Sequence, residues 1–201
     1  MPKIVDHDQR KVHIAEATWK VIVENGLEKA TVRKVAATAG LSVGSLRHYF
    51  STQSELLQFS MKLVTERVTQ RIQSSHYKGD RVDIAIQALG EMLPLDEERK
   101  IEMEVWFVFS SKTLVDKKLK QLSEATFEEM HNGLINIMQF LQKGNLLKPG
   151  LDEKLEISRL HAIIDGMALH HLLHPDKLTY EKMIDTLTYH LKSIVERGNE
   201  S

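Results

Sequence analysis

Apolar residues recur along most of the chain at intervals of three and four positions, the spacing of one face of an α-helix. No Asn-Gly or Asp-Gly pair is flanked by the alternating apolar and polar residues that would mark a β-hairpin. The one Asp-Gly pair, Asp165-Gly166, lies inside an apolar helical stretch. The pattern therefore predicts an all-α protein.

Start and stop signals divide this pattern into about nine helices. Gly26 and Gly40 are suited to end the first two, and Thr31 and Ser42 are suited to cap the second and third. Thr52 opens a fourth, where Glu55 completes a capping box. The predicted helices cover about 9–25, 32–39, 43–48, 52–74, 80–94, a sixth from 96 onward, 114–143, 152–174 and 179–197.

The segment from Val32 to Ser51 has the spacing of a helix-turn-helix. Two helices that cross steeply need a small residue where they meet, and Ala36 is placed there. Gly40, four residues later, suits the positive φ of the turn. An ordinary helical hairpin is the alternative, but the second helix is short and its outward residues are small or polar, which suits a major groove better.

These residues resemble the N-terminal domain of the TetR family of bacterial transcriptional regulators. The matching positions are Arg10, 14–17, 25–27, 30–33, 35–36, 39–42, 44–46, 48–50 and 55–57. The His-Tyr-Phe ending at 48–50 and the body beyond it resemble the subgroup of the choline-responsive betaine-pathway repressor. The resemblance implies a DNA-binding domain at 1–57, whose fourth helix connects onward to about 74, and a ligand-binding and dimerisation domain at 58–201.

The resemblance also implies the residues that contact DNA. Arg33 matches a position that reaches a base, and Tyr49 fits a hydroxyl that contacts phosphate, although a packing role is its alternative. Two residues depart from the family pattern: Arg47 stands where Tyr is usual, and Gln53 where Lys is usual. The predicted DNA-binding residues are Arg33, Lys34, Ser42, Val43, Gly44, Ser45, Arg47, His48, Tyr49, Thr52 and Gln53.

The charge distribution also distinguishes the N-terminal segment from the rest of the chain. The whole chain has 27 basic and 28 acidic residues, a net of −1. Residues 10–50 alone contain seven basic and three acidic residues, a net of +4. We interpret the chain as a weakly basic DNA-binding segment followed by an acidic C-terminal part.

Several classes of protein are disfavoured by composition. The absence of cysteine excludes disulfides, a Cys-ligated zinc site and thiol catalysis. The start has no apolar segment typical of a secretion signal, and the longest apolar run, 105–109, is too short to span a bilayer. A single Glu-x-x-His pair, Glu128 and His131, is too few for a di-iron bundle. We therefore expect a cytoplasmic protein that is not an enzyme, with no cofactor, no metal and no membrane partner.

The resemblance implies an effector pocket between helices five and eight, for an apolar or cationic small molecule. Methionine and aromatic side chains suit such a pocket, although an ordinary core is at least as good an explanation for each. The predicted ligand-binding residues are Met103, Trp106, Phe107, Phe127, Met130, His131 and Met167.

Apolar residues lie all round the predicted eighth helix, which indicates burial against both its own core and a partner subunit. The predicted dimer interface comprises Ile163, Gly166, His170, His174, Leu187 and Leu191. His170 and His174 lie one turn apart, but no nearby carboxylate completes a metal site, so interface or pocket roles are favoured. His161 and Asp165 are suited to a hydrogen-bonded pair.

The prediction is a homodimeric repressor that binds double-stranded operator DNA with inverted-repeat symmetry and is released by a small-molecule effector. In this mechanism, effector binding moves the fourth helix and changes the spacing of the two DNA-reading helices. The alternative is a helical protein-binding adaptor, or a small-molecule-binding bundle, without DNA binding. Operator sequence, effector, regulated genes and the choice between repression and activation are not determined by the sequence.

Overall fold

The computed structural model describes residues 7–114 and 120–196. Within them the chain forms nine α-helices and a short 3₁₀ turn at Leu27–Lys29, and no strand. The helices are α1 His7–Asn25, α2 Val32–Thr38, α3 Val43–Tyr49, α4 Gln53–Ser74, α5 Arg81–Gly90, α6 Glu97–Thr113, α7 Lys120–Lys143, α8 Glu153–Leu173 and α9 Tyr180–Ile194. The all-α prediction is confirmed.

Predicted helix boundaries differ from the observed ones in the fifth, seventh and ninth helices. The fifth helix ends at Gly90 rather than near Pro94. The next three backbone N–H groups, from Glu91 to Leu93, donate to carbonyls three residues back. This is the hydrogen-bond pattern of a 3₁₀ turn, so the α-helix ends there. Leu114, the predicted start of the seventh helix, lies in a turn, and α7 is described from Lys120. The ninth helix ends at Ile194, three residues before the predicted Arg197, because Val195 is extended, with φ of −99° and ψ of 148°.

The described residues form two compact units. The first consists of the described parts of Met1–Arg67 and Glu104–Thr126, and the second of Val68–Met103 and the described part of Phe127–Ser201. Helices α4, α6 and α7 are each divided between the two units.

The first unit is built on α1, which packs against α2, α3 and the 3₁₀ turn. Trp19 of α1 is buried, and its indole N–H donates to the backbone carbonyl of Ser60 on α4 at 2.9 Å. His13 forms a 3.1 Å hydrogen bond with the carbonyl of Ala39 at the end of α2. These bonds fix the helices around α1 while apolar side chains fill the space between them.

The second unit has its core between α5, α7, α8 and α9. Helix α9 packs against both α5 and α8. The side chains of Leu89, Leu134, Leu160, Leu187 and Leu191, one or more from each helix, have no exposed surface. None of the helices in the described residues is long and apolar enough to cross a membrane.

Candidate nucleic-acid interface

The turn between α2 and α3 is closed by two backbone hydrogen bonds. The N–H of Leu41 donates to the carbonyl of Ala36 at 2.9 Å, and that of Gly40 donates to Ala37 at 3.2 Å. Together they form the Schellman closure of a helix end, which requires a left-handed residue. Gly40 supplies it, with φ of 66°. The predicted helix-turn-helix is therefore present, and its turn depends on this glycine.

Packing between α2 and α3 leaves one face of the pair open. Val35, Ala36 and Leu46 are buried at the junction of the two helices. Arg33 and Lys34, in the first turn of α2, are exposed, as are Arg47 and His48 on α3. The remaining predicted DNA-binding residues are also at least partly accessible: Ser42, Gly44, Thr52 and Gln53 are exposed, and Val43, Ser45 and Tyr49 are half-buried.

Three of the polar side chains also serve as local hydrogen-bond acceptors. The Ser42 hydroxyl accepts from the N–H of Ser45 at 3.0 Å, and Thr31 accepts from Lys34 at 3.3 Å. Thr52 accepts from the N–H of Glu55 at 3.1 Å. Each hydroxyl retains its own proton, so capping leaves Ser42 and Thr52 able to donate to a phosphate oxygen.

The predicted capping box at the start of α4 is present in altered form. The Glu55 carboxylate accepts from the N–H of Ser51 at 2.9 Å rather than from that of Thr52. The Gln53 side-chain amide donates to the carbonyl of Ala30 at 2.9 Å, which ties α4 to the loop before α2. Gln53 therefore has a structural partner within the protein, although its side chain remains exposed.

Two family models match this chain. The model described as "Bacterial regulatory proteins, tetR family" matches residues 14–58, and the model described as "BetI-type transcriptional repressor, C-terminal" matches residues 85–196, more than half of the chain. The chain belongs to the TetR family. Its resemblance to the betaine-pathway subgroup is thereby supported at the level of the C-terminal domain.

Similar proteins agree with this membership. The HTH-type transcriptional regulator PksA of Bacillus subtilis is 43% identical, over 96% of this chain and 94% of that protein. A crystal structure of a transcriptional regulator from a Rhodococcus species superposes with a TM-score of 0.76 at 27% identity, covering 92% of this chain and 95% of the other. A regulator from Saccharomonospora viridis, solved in complex with choline, shares the fold with a TM-score of 0.77 at 19% identity, covering 94% and 100%. This TetR-family protein is thus a DNA-binding transcriptional regulator and not an enzyme.

The predicted ligand-binding residues are divided between the two units. Trp106 and Phe107 belong to the first, and the others belong to the second. Met130 and Met167 both belong to the core of the second unit. A separate cleft of about 300 Å³ follows α7, and none of the predicted residues lines it; its lining consists of Gln142, Asn145, Leu147, Lys148, Pro149, Gly150, Leu151 and Glu153.

Phe127 and His131 on α7 meet His161 on α8. The Phe127 ring stacks on both imidazoles, with centroids 5.9 Å from His131 and 4.6 Å from His161. The Nδ1 atoms of the two histidines are 3.4 Å apart, and His161 Nε2 is 3.8 Å from Asp165 Oδ2. Burial lowers the pKa of His161, and the neighbouring His131 acts in the same direction. The predicted hydrogen bond between His161 and Asp165 is not formed, because 3.8 Å exceeds hydrogen-bond distance, and the two side chains are only within ion-pair range.

The histidines of this protein do not form a metal site in the part of the chain that the structure describes. Among residues 7–114 and 120–196, no three His, Asp or Glu side chains are arranged to hold a metal ion. His170 and His174 are exposed, whereas His171, between them, is buried and forms a 2.7 Å hydrogen bond with the carbonyl of Leu178.

The six predicted interface residues have different exposures. His170 and His174 are exposed, and Ile163 and Gly166 are half-buried. Leu187 and Leu191 have no exposed surface and pack inside the core of their own subunit. Sequence reasoning did not single out the large apolar side chains that are exposed on the same two helices, Leu155, Leu169, Leu173, Tyr180 and Tyr189.

An ion-pair cluster in the second unit was also missed by sequence reasoning. Arg71, near the end of α4, donates to Glu102 on α6 and to Glu91, which follows α5. Arg99 on α6 also donates to Glu91, at 3.2 Å. Burial opposes the charge of Arg71, but its bonds to Glu102 and Glu91 outweigh that effect and raise its pKa. Only the tertiary structure brings these charges together, because Arg71 and Glu102 are 31 positions apart.

Proposed function

We propose that this regulator is a homodimeric repressor that binds an inverted-repeat operator in the cytoplasm and is released by a small-molecule effector. The observation that carries the proposal is the open polar face of α2 and α3, held by a closed turn and exposing Arg33, Arg47 and His48. A short helix with such a face fits the major groove, where Arg donates to guanine and small residues admit close approach of the backbone.

Gel-shift and footprinting assays on the protein's own promoter test DNA binding. We expect protection of two half-sites, with recognition helices roughly 34–36 Å apart or a related spacing. Binding must weaken steeply as salt rises, because contacts to phosphates release counterions. Binding of proteins only, with no retardation of any promoter fragment, would instead support the adaptor alternative.

The proposed dimer interface lies on the outer faces of α8 and α9. Leu169 and Leu173 on α8 and Tyr189 on α9 are 37%, 61% and 80% exposed, which is high for side chains of this size. We propose that they join Ile163, Gly166, His170 and His174 in the interface, while Leu187 and Leu191 support it from within each subunit. Analytical ultracentrifugation of the full chain tests this, and a monomer at micromolar concentration contradicts it.

We propose that the effector is held in the second unit by Met103, Phe127, Met130, His131 and Met167. Flexible methionines and the face of an aromatic ring suit a small apolar cation. The S. viridis neighbour was solved with choline, so choline is the first probe to use. In a titration of the protein–operator complex, choline is expected to release DNA, since an effector must prefer the non-binding state. Calorimetric binding of choline without any release would contradict its role as an inducer.

A further inference from the structure

Helix α1 begins against the C-terminal end of α3. The His7 ring, in the first turn of α1, lies with its centroid 4.7 Å from that of Tyr49, the last residue of α3. One turn later, Lys11 Nζ lies 5.9 Å from the centroid of Phe50 and 5.8 Å from that of Phe59. The start of α1 therefore places an imidazole and an ammonium group beside one end of the helix-turn-helix.

This end of α3 needs positive charge if the helix lies in a major groove. The sugar-phosphate strands border the groove, and most protein–DNA hydrogen bonds go to phosphate and sugar oxygens. A helix C-terminus carries partial negative charge on its free carbonyls and repels a phosphate by itself. A cation close to Tyr49 and Phe50 offsets this repulsion.

The start of α4, which follows α3 directly, contributes no side-chain charge through Gln53. Its amide is neutral and donates to the carbonyl of Ala30. Lys11 differs because it is charged: the residue is half-buried, and its ammonium group lies over the faces of two aromatic rings. Contact with the aromatic faces already restricts the position of the ammonium group. Less side-chain conformational entropy is therefore lost when the group binds a ligand.

We propose that His7 and Lys11 form a phosphodiester-binding site on α1, which contacts the operator backbone beside Tyr49. Lys11 supplies the charge, and an imidazole N–H of His7 and the phenol O–H of Tyr49 donate to phosphate oxygens. The proposal rests on the proposed function, in which α3 enters the major groove. Because phosphodiester groups are the same at every base pair, the site adds affinity without sequence preference.

The salt dependence of operator binding tests this site, with Lys11→Gln as the variant. Removal of one phosphate contact is expected to reduce the slope of log K against log salt by about 0.9. The affinity for operator and for random DNA is expected to fall by the same factor. Lys20→Gln is the matched control, because Lys20 lies on the same helix, is 64% exposed and lies 3.9 Å from Glu24, its partner in the next turn.

The Lys11→Arg variant tests whether the positive charge at this position, rather than the lysine side chain itself, sets the slope. Arginine keeps the charge and also stacks on aromatic rings, so this variant is expected to restore the slope. His7→Gln provides a second variant at a solvent-exposed position, where we expect weaker binding to both DNAs and an unchanged melting temperature.

Two results overturn the proposal while leaving the DNA-binding function in place. One is a wild-type slope in Lys11→Gln, and the other is a reduced slope in Lys11→Arg equal to that of Lys11→Gln. Absence of DNA binding by the wild-type protein would overturn the proposed function and this site together. The three cases are distinguishable within one set of titrations.

Discussion

The guanidinium of Arg71 on α4 donates two hydrogen bonds to the carboxylate of Glu102 on α6, at 3.0 and 2.8 Å. Glu102 has no exposed surface, so its bonds to Arg71 replace water that its charge would otherwise require. The pair lies within the second unit, where it joins the last part of α4 to α6.

Loss of one partner of this pair is expected to destabilise the protein strongly. In Arg71→Met the buried Glu102 keeps its charge without its main partner, a situation that costs about 3–5 kcal/mol. The double variant Arg71→Met with Glu102→Leu is expected to recover most of the loss, because no unpaired charge remains. Chemical denaturation of the wild type, Arg71→Met, Glu102→Leu and the double variant measures the coupling, and additive losses in the double variant would show that the pair does not act as a unit.

Arg33 is expected to contribute to specificity. Arg33→Ala removes a bidentate donor and should cost about 1–3 kcal/mol of operator binding, mainly by relaxing the preference at one base pair. Competition gel shifts with single-base operator variants measure this preference. Lys34→Ala is the matched control, since we expect a phosphate contact there and hence a uniform loss. If Arg33→Ala keeps the wild-type base preference, Arg33 does not recognise a base pair of the operator.

Gly166 provides a specific test of the dimer interface. A Cβ added at this glycine meets no atom within 4 Å in its own subunit, so Gly166→Leu has room in the monomer. If the proposed partner helix lies against α8 there, the new side chain clashes with it and sedimentation shifts toward the monomer. Gln73→Leu, at an exposed position on α4, is expected to leave the dimer intact. If Gly166→Leu sediments as a dimer in the same way as the wild type, the interface does not include this position.

Stability is expected to fall as the pH decreases through the histidine range. Burial lowers the pKa of His161 below its usual 6.5, and burial with the nearby Arg159 charge lowers that of His190. The unfolded chain therefore binds protons first, so the free energy of unfolding is highest above about pH 6.5 and decreases below it. Burial raises the pKa of Asp165, which acts with the opposite sign at lower pH.

Denaturation at pH 7.5 and 5.5 checks this dependence. His161→Asn removes one titrating group and is expected to reduce the difference between the two pH values. His76→Asn is the control, because His76 is exposed on the chain after α4. An equal difference in wild type and His161→Asn would show that His161 is not a source of the pH dependence.

The sequence by itself determined the helix-turn-helix and its family. Its signals are local: Gly40 closes a turn within four residues of Ala36, and Thr31 and Ser42 cap helices through bonds three residues away. Local backbone geometry decides such features, so the identity and spacing of nearby residues are sufficient to predict them.

Tertiary structure decided the partners of side chains that are far apart along the chain. Leu187 and Leu191 are predicted interface residues, but the packing of the helices buries both side chains in the core of their own subunit. Gln53 bonds to Ala30, and Arg71 to Glu102, across 23 and 31 positions. Helical periodicity tells which residues share a face but not which other helix that face meets, because the meeting depends on how all the helices pack together.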